Sequence, residues 1–227
     1  PMSAGQQITY QVAVRPADAA VLHVKVEPGG DGLINITIDG KFFTAFHYDP
    51  ETARPYLYPV LAATGDPVTR NYPMKDDPIE KAGTREKNGT RQDHNHHRSI
   101  WTAHGDVRTK DFDKPGTNYW AGERGRGHAY QEVKRIVRTV SGPVFGRIEA
   151  QIEWNTKDGQ REFSEDRTYT FYRGDNATRI IDPKIVFKFT DGDVMFADTK
   201  EGGIIATRLA VTMDEQGVEI DGKKMHG

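Results

Sequence analysis

The sequence predicts an all-β fold, a large antiparallel β-sandwich with few short helices. Three observations lead there. Long runs of alternating apolar and polar residues are separated by short turns built from Gly, Asp, Asn and Pro. No window carries a capped apolar stripe at 3.6-residue spacing. Large twisted antiparallel sheets bury an apolar face by packing on a second sheet.

The elements follow in order. Leu33 to Ile38 alternates, Asp39-Gly40 turns, and Lys41 to Tyr48 returns rich in aromatics. Asp-Gly between two such runs predicts a tight hairpin, because both central residues of the turn need positive φ. The rhythm resumes after residue 130, with strands expected over 132–140, 144–154, 162–172, 178–189, 194–197 and 204–212. Their connections, Ser141-Gly142-Pro143, Lys157 to Gln160, Arg173 to Asn176 and Asp191-Gly192-Asp193, are short, as in a meander. Residues 64–127 break the pattern with Pro67, Pro73, Pro78, Pro115 and a Gly-rich run from Gly122 to Gly127. A connection of that length predicts a functional loop region covering one open face of a single domain spanning 1–227.

Composition narrows the function classes. Of 227 residues 36% are hydrophobic, with 10 Phe, 9 Tyr and 3 Trp, enough for a sizeable core. The 31 basic and 33 acidic residues are well mixed, which argues against a non-specific nucleic-acid binder. No run approaches the roughly 18 apolar residues of a membrane span, so a soluble chain is expected. The segment Pro1 to Gln7 has neither the basic start nor the apolar core of a signal peptide. The absence of Cys excludes disulfides, thiolate metal sites and a Cys nucleophile, and fits the cytoplasm or the periplasm equally. Oligomeric state is not written in these features.

The chemistry concentrates in Asp93-His94-Asn95-His96-His97-Arg98-Ser99. Five of the eight histidines are His94, His96, His97, His104 and His128. If the chain is extended there, His94 and His96 share one face while Asp93, Asn95 and His97 take the other. A His-x-His pair on a strand suits a divalent metal, zinc or similar, with His104, His128 or a remote carboxylate as third ligand. The same histidines suit acid–base and hydrogen-bonding work near neutral pH. Arg98 offers a grip for a hydroxyl or carboxylate, Arg70 a second one, and Trp101 and Trp120 flat faces for a sugar ring. A loop that uses its histidines only for turn-capping is the non-functional alternative.

A second constellation is Asp198-Thr199-Lys200-Glu201-Gly202-Gly203, set between the apolar runs 194–197 and 204–206. Charged groups at a strand end beside two glycines predict a sheet-edge cleft that a ligand can approach closely. An ordinary charged turn is the alternative. Glu165-Asp166-Arg167, on a predicted strand, reads as a solvated face or an ion pair.

Several blocks together resemble a bacterial family labelled methane oxygenase PmoA, a PmoA-like domain of unknown function. They are Phe43 to Tyr48, Arg54 to Val60, Val68 to Arg70, Asp93 to Trp101 and Phe196 to Gly203. The resemblance spans about 40–210 and implies a sandwich like that of galactose mutarotase, with His and carboxylate groups around a sugar. By that analogy His94, His96, His97 and His128 are acid or hydroxyl-binding groups, and Asp198 and Glu201 base or hydroxyl-binding groups. Arg70, Arg98, Trp101, His104, Trp120 and Lys200 then contact substrate. Family members carry further aromatic-, Gly- and Asn-containing blocks, which implies that this chain is incomplete at its C-terminus.

The expectation is a carbohydrate-active enzyme, of epimerase, lyase or hydrolase type, working by acid–base catalysis on a small-molecule sugar. A metal-dependent oxygenase or hydrolase built on His94 and His96 is the first rival. A non-catalytic carbohydrate-binding module is the second.

Overall fold

A computed structural model describes residues 22–82, 86–87, 90–91, 94–124, 127–175, 177–201, 203–213, 218–220 and 223–225. Asp93 and Gly202 lie outside the described residues. In chain order the elements are β1 (Val24–Gly30), β2 (Leu33–Ile38), β3 (Lys41–His47), β4 (Tyr56–Leu57) and helix α1 (Pro78–Ala82). Then come β5 (Glu86–Lys87), β6 (Thr90–Arg91), β7 (Ile100–Thr102) and β8 (Val107–Arg108). The long strands are β9 (Tyr130–Val140), β10 (Phe145–Asn155), β11 (Arg161–Tyr172) and β12 (Ile180–Lys188). Four short ones follow: β13 (Met195–Phe196), β14 (Ile205–Thr207), β15 (Val218–Ile220) and β16 (Lys223–Met225).

Two antiparallel sheets face each other, as the alternation requires. One has six strands in the order β1-β2-β3-β4-β7-β14, the other four in the order β12-β11-β10-β9. The expected hairpin is there, with Asp39 at φ 50° and Gly40 at φ 76°. Val24, Ile34, Ile36, Phe43, Phe46 and Leu57 from the first sheet pack on Ile148, Tyr169 and Phe171 from the second. Each large side chain so buried contributes about 1.5–3 kcal/mol. A second cluster around Val107, Tyr119, Trp154 and Phe163 closes the other end. No helix among the described residues is long and apolar enough to cross a membrane.

Two expectations need correction, and a third, the ion pair read at Glu165-Asp166-Arg167, is met in an unexpected place. The expected 204–212 strand keeps its pairing only over Ile205–Thr207, then changes partner. Ala210 N–H bonds Val68 O, and Thr69 bridges Leu209. The 64–127 segment is more than a covering loop, because β7 is an inner strand of the six-stranded sheet. Glu165 and Arg167 do form an ion pair, but inside the sandwich with both side chains fully buried, not on a solvated face. Strict alternation along β11 turns residues 163, 165, 167, 169 and 171 inward whatever their charge.

Candidate functional site

The histidine segment is a turn, not a strand. His97 N–H bonds His94 O at 3.2 Å, and residues 95–96 form the bend. The expected division, His94 and His96 on one face and His97 on the other, is therefore wrong. The bend brings all three imidazoles together. Ring centroids are 5.2 Å apart for His94–His96, 4.6 Å for His94–His97 and 4.5 Å for His96–His97. One nitrogen from each lies within 4.8 Å of the others, the one such group of three ligating side chains among the described residues.

Residues distant in sequence hold the turn. Arg54, 2% exposed, donates from Nη1 to His96 O (2.9 Å) and from Nη2 to Gly122 O (3.2 Å). Burial pushes the Arg54 guanidinium down to about 10, with Arg98 acting in the same direction, so it stays charged at neutral pH. Ser99 leaves the turn at φ 52°, its buried hydroxyl on Thr69 Oγ1 at 2.7 Å and its carbonyl accepting from Arg208 N–H. Gly122 has φ 104° and lies under the His128 ring, where an added Cβ would be 2.2 Å from Cγ. Only glycine fits there.

His97 stacks on Trp101 at 5.0 Å and meets the edge of Trp120, whose Nε1–H donates to His97 Nε2 at 3.3 Å. Trp101 and Trp120 are 2% and 7% exposed, so they form the floor under the histidines rather than open faces for a sugar. His96 is pushed down to about 4 by burial first, then by His94 and Arg54; Glu201 acts in the opposite direction. At neutral pH it is an uncharged imidazole with a lone pair to offer.

That shift carries a stability signature in the metal-free protein. Below pH 6.5 the unfolded chain protonates His96 while the folded chain resists until about 4, so stability falls across that window and levels below it. The ring is half-buried, and solvent screening leaves about 1–2 kcal/mol of the effect. Urea unfolding at pH 7 and pH 4.5 should show that loss in the wild type and a clearly smaller one in His96→Gln.

The remaining expected residues divide. Arg98 lies in the site, 3.0 Å from Glu123 and over the Tyr56 ring at 5.5 Å. Glu201 and Lys200 sit together on the 197–204 loop, 3.6 Å apart, with side chains 20% and 89% exposed. Asp198 is exposed at the start of the same loop. His104 is a fastening: its Nε2–H donates to Ala197 O at 2.7 Å and its ring packs on Phe196. Arg70 is 1% exposed and donates to Leu209 O, an internal strut that no substrate reaches. His128 is exposed, its ring over Gly122, and it lines a groove with Thr117, Asn118, Lys157 and Asp158.

Sequence reasoning missed Arg54, Tyr56 and Glu123 as site residues. It also missed His47, stacked on Tyr56 at 4.7 Å with Nε2 on Tyr58 O and held below its ordinary range by burial. The Arg54-Pro55-Tyr56 block was the available signal, carried only by resemblance.

No curated protein and no solved structure matches the chain. Residues 33–225 match the model of a family described as a family of unknown function, DUF6807. That match takes in the four-stranded sheet, the six-stranded sheet except β1, the histidine turn and the Glu201 loop, and the chain belongs to this family.

Proposed function

We propose that His94, His96 and His97 form a divalent transition-metal centre, and that the chain is a metal-dependent enzyme acting on an oxygen-rich substrate of the carbohydrate class. The convergence of three imidazoles within 4.8 Å carries this reading. Zinc with bonds of about 2.0–2.1 Å holds three nitrogens roughly 3.3 Å apart, so small side-chain rotations close the triangle. Burial that keeps His96 neutral removes the proton a metal would have to displace. The charge of Arg98, which would repel a cation, is already engaged by Glu123. The metal would supply Lewis-acid polarisation of a substrate or water oxygen.

The carbohydrate part rests on the rim. Arg98 and Glu123, with Lys200 and Glu201, present donors and acceptors suited to hydroxyl groups. With Trp101 and Trp120 buried, substrate recognition depends on these polar groups rather than on ring stacking. The sequence blocks that resemble PmoA-like proteins, and the mutarotase-like sandwich which that resemblance implies, favour the same substrate class.

Binding has a built-in reporter. A metal held by His97 through Nε2 would take the lone pair that Trp120 Nε1–H now uses, and one held through Nδ1 would still lie beside the stacked Trp101, so loading should change tryptophan fluorescence. Untagged, chelator-treated protein titrated with Zn²⁺ should take up one equivalent at roughly micromolar Kd or tighter. His94→Ala, His96→Ala and His97→Ala should each weaken it by about tenfold or more. Stoichiometric turnover screens with mono- and disaccharides, with and without metal, then test the substrate class. Zinc binding weaker than about 100 μM would refute the centre.

A further inference from the structure

Two aromatic platforms stand side by side on the outer face of the six-stranded sheet. Phe46, Leu57 and Ile100 turn into the core, so their neighbours His47, Tyr56 and Trp101 turn out on the other face. Tyr56 is paired with Trp101 across β4 and β7, strands about 4.7–4.9 Å apart. His97 stacks on Trp101 at 5.0 Å, and the Arg98 guanidinium lies over the Tyr56 ring at 5.5 Å. One imidazole of the triad and the guanidinium are therefore seated on adjacent platforms of the same face.

A ring of contacts encloses them, and it holds more positive charge than negative. Arg54 donates to His96 O and to Gly122 O; the next residue, Glu123, accepts from Arg98 Nη2 at 3.0 Å. Arg54 is 2% exposed, its acceptors are neutral carbonyls, and its buried Nε has none. Two guanidinium groups thus meet one carboxylate in this ring, and neutral imidazoles add nothing to offset a divalent ion. The Lys200–Glu201 pair carries no net charge. Arg98 also has donors to spare. Its side chain is 19% exposed and Glu123 takes a single one of its five N–H groups, which leaves an edge for an acceptor arriving from solvent. A carboxylate suits that edge, because it matches a guanidinium in shape and in unit charge. A phosphate dianion would meet Glu123, already seated on the same group.

We propose that Arg98 is the specificity-determining residue of the site, gripping a carboxylate of the substrate while the histidine centre holds a hydroxyl of the same molecule. The substrate class is then sugar acids, uronates and aldonates, rather than neutral sugars; this rests on the carbohydrate and metal readings above. A hexuronate carries its carboxylate and its ring hydroxyls several bonds apart. That separation matches a guanidinium and an imidazole held over neighbouring strands.

Matched pairs isolate the carboxylate: glucuronate against glucose, and galacturonate against galactose, differ at C6 alone. Titration calorimetry on zinc-treated wild type should show each uronate bound at least about tenfold more tightly than its neutral hexose. Arg98→Gln should bring the two within about threefold and should not weaken zinc, since no ligand to the ion has changed. Glu123→Gln should act in the opposite direction, tightening the uronate by about threefold and leaving the hexose alone, because a competing negative charge has gone. A merely structural ion pair would not split the two ligands in that way. Four results overturn the inference and leave the carbohydrate reading standing: uronate binding no tighter than hexose in wild type, a uronate preference that survives Arg98→Gln, a looser uronate in Glu123→Gln, or glucose 6-phosphate bound more tightly than glucuronate. Binding of neither hexose nor uronate removes both. Wild type that takes up no zinc, yet keeps an Arg98-dependent uronate preference, removes the metal centre and supports the carboxylate grip.

Discussion

Arg167→Met should lower the unfolding free energy by about 3–5 kcal/mol, the cost of leaving one partner of a buried ion pair alone. Glu165 and Arg167 have fully buried side chains, and burial already pushes the Glu165 carboxyl upward against the pull of Arg167. Trp154 Nε1–H donates to Glu165 Oε2 at 3.2 Å, a single neutral donor that cannot replace a guanidinium. The double variant Glu165→Leu/Arg167→Met should recover most of the loss, since two apolar groups of similar volume leave no charge to desolvate. Urea denaturation of the three proteins measures it, and a loss under about 1 kcal/mol in the single variant would contradict the argument. The pair also supports the site. Arg167 Nη2 donates to Gln131 Oε1, and Gln131 Nε2 donates to Thr102 O at 2.6 Å, next to Trp101.

Arg54→Met should disorganise the histidine turn while keeping most of the side-chain volume. It strips donors from His96 O and Gly122 O, two partners brought together across 42 and 68 residues of chain. Each buried acceptor left unsatisfied costs about 1–3 kcal/mol, so a total near 2–5 kcal/mol is expected. The larger effect is on the site, where His96 and the 120–123 segment lose their common anchor. Zinc affinity should fall by about a hundredfold or more, the upper end of what outer supporting groups contribute. Arg54→Lys should rescue it poorly, because one ammonium does not reproduce a planar fork reaching two carbonyls. Titration calorimetry decides the matter, and unaltered affinity in Arg54→Met would mean that the turn holds its shape unaided.

How much of this was legible depended on whether neighbours in sequence or in space decide the structure. The 33–48 hairpin could be read because Asp39-Gly40 fixes its turn locally. β10 and β11 could be read because a strict period of two leaves no other secondary structure. The histidines stood out by their density, and Glu201 by its charge between apolar runs. The bend at 94–97 was not legible, because Arg54, Thr69 and Trp120 shape it from elsewhere in the chain. Arg54 and Arg70 were hidden for a related reason: an arginine among polar residues looks like surface until its carbonyl partners are known.

The fastenings of the site are also a statement about time. Ser99 O accepts from Arg208 N–H, Ala103 N–H donates to Ile204 O, and the His104–Ala197 bond closes over 93 residues. A ribosome adding about 5–20 residues per second makes the histidines roughly 5–20 s before the segment that clasps them. Pairing across so long a loop waits for the intervening sheet to form. Through that interval the nascent chain carries three imidazoles without the 197–208 segment that clasps the neighbouring strand, so on the metal reading an ion that met it would find separate weak ligands instead of a gathered triad. On the metal reading proposed above, loading would be deferred to the last act of folding, and an ion that entered then would add its binding energy to the closing of the clasp.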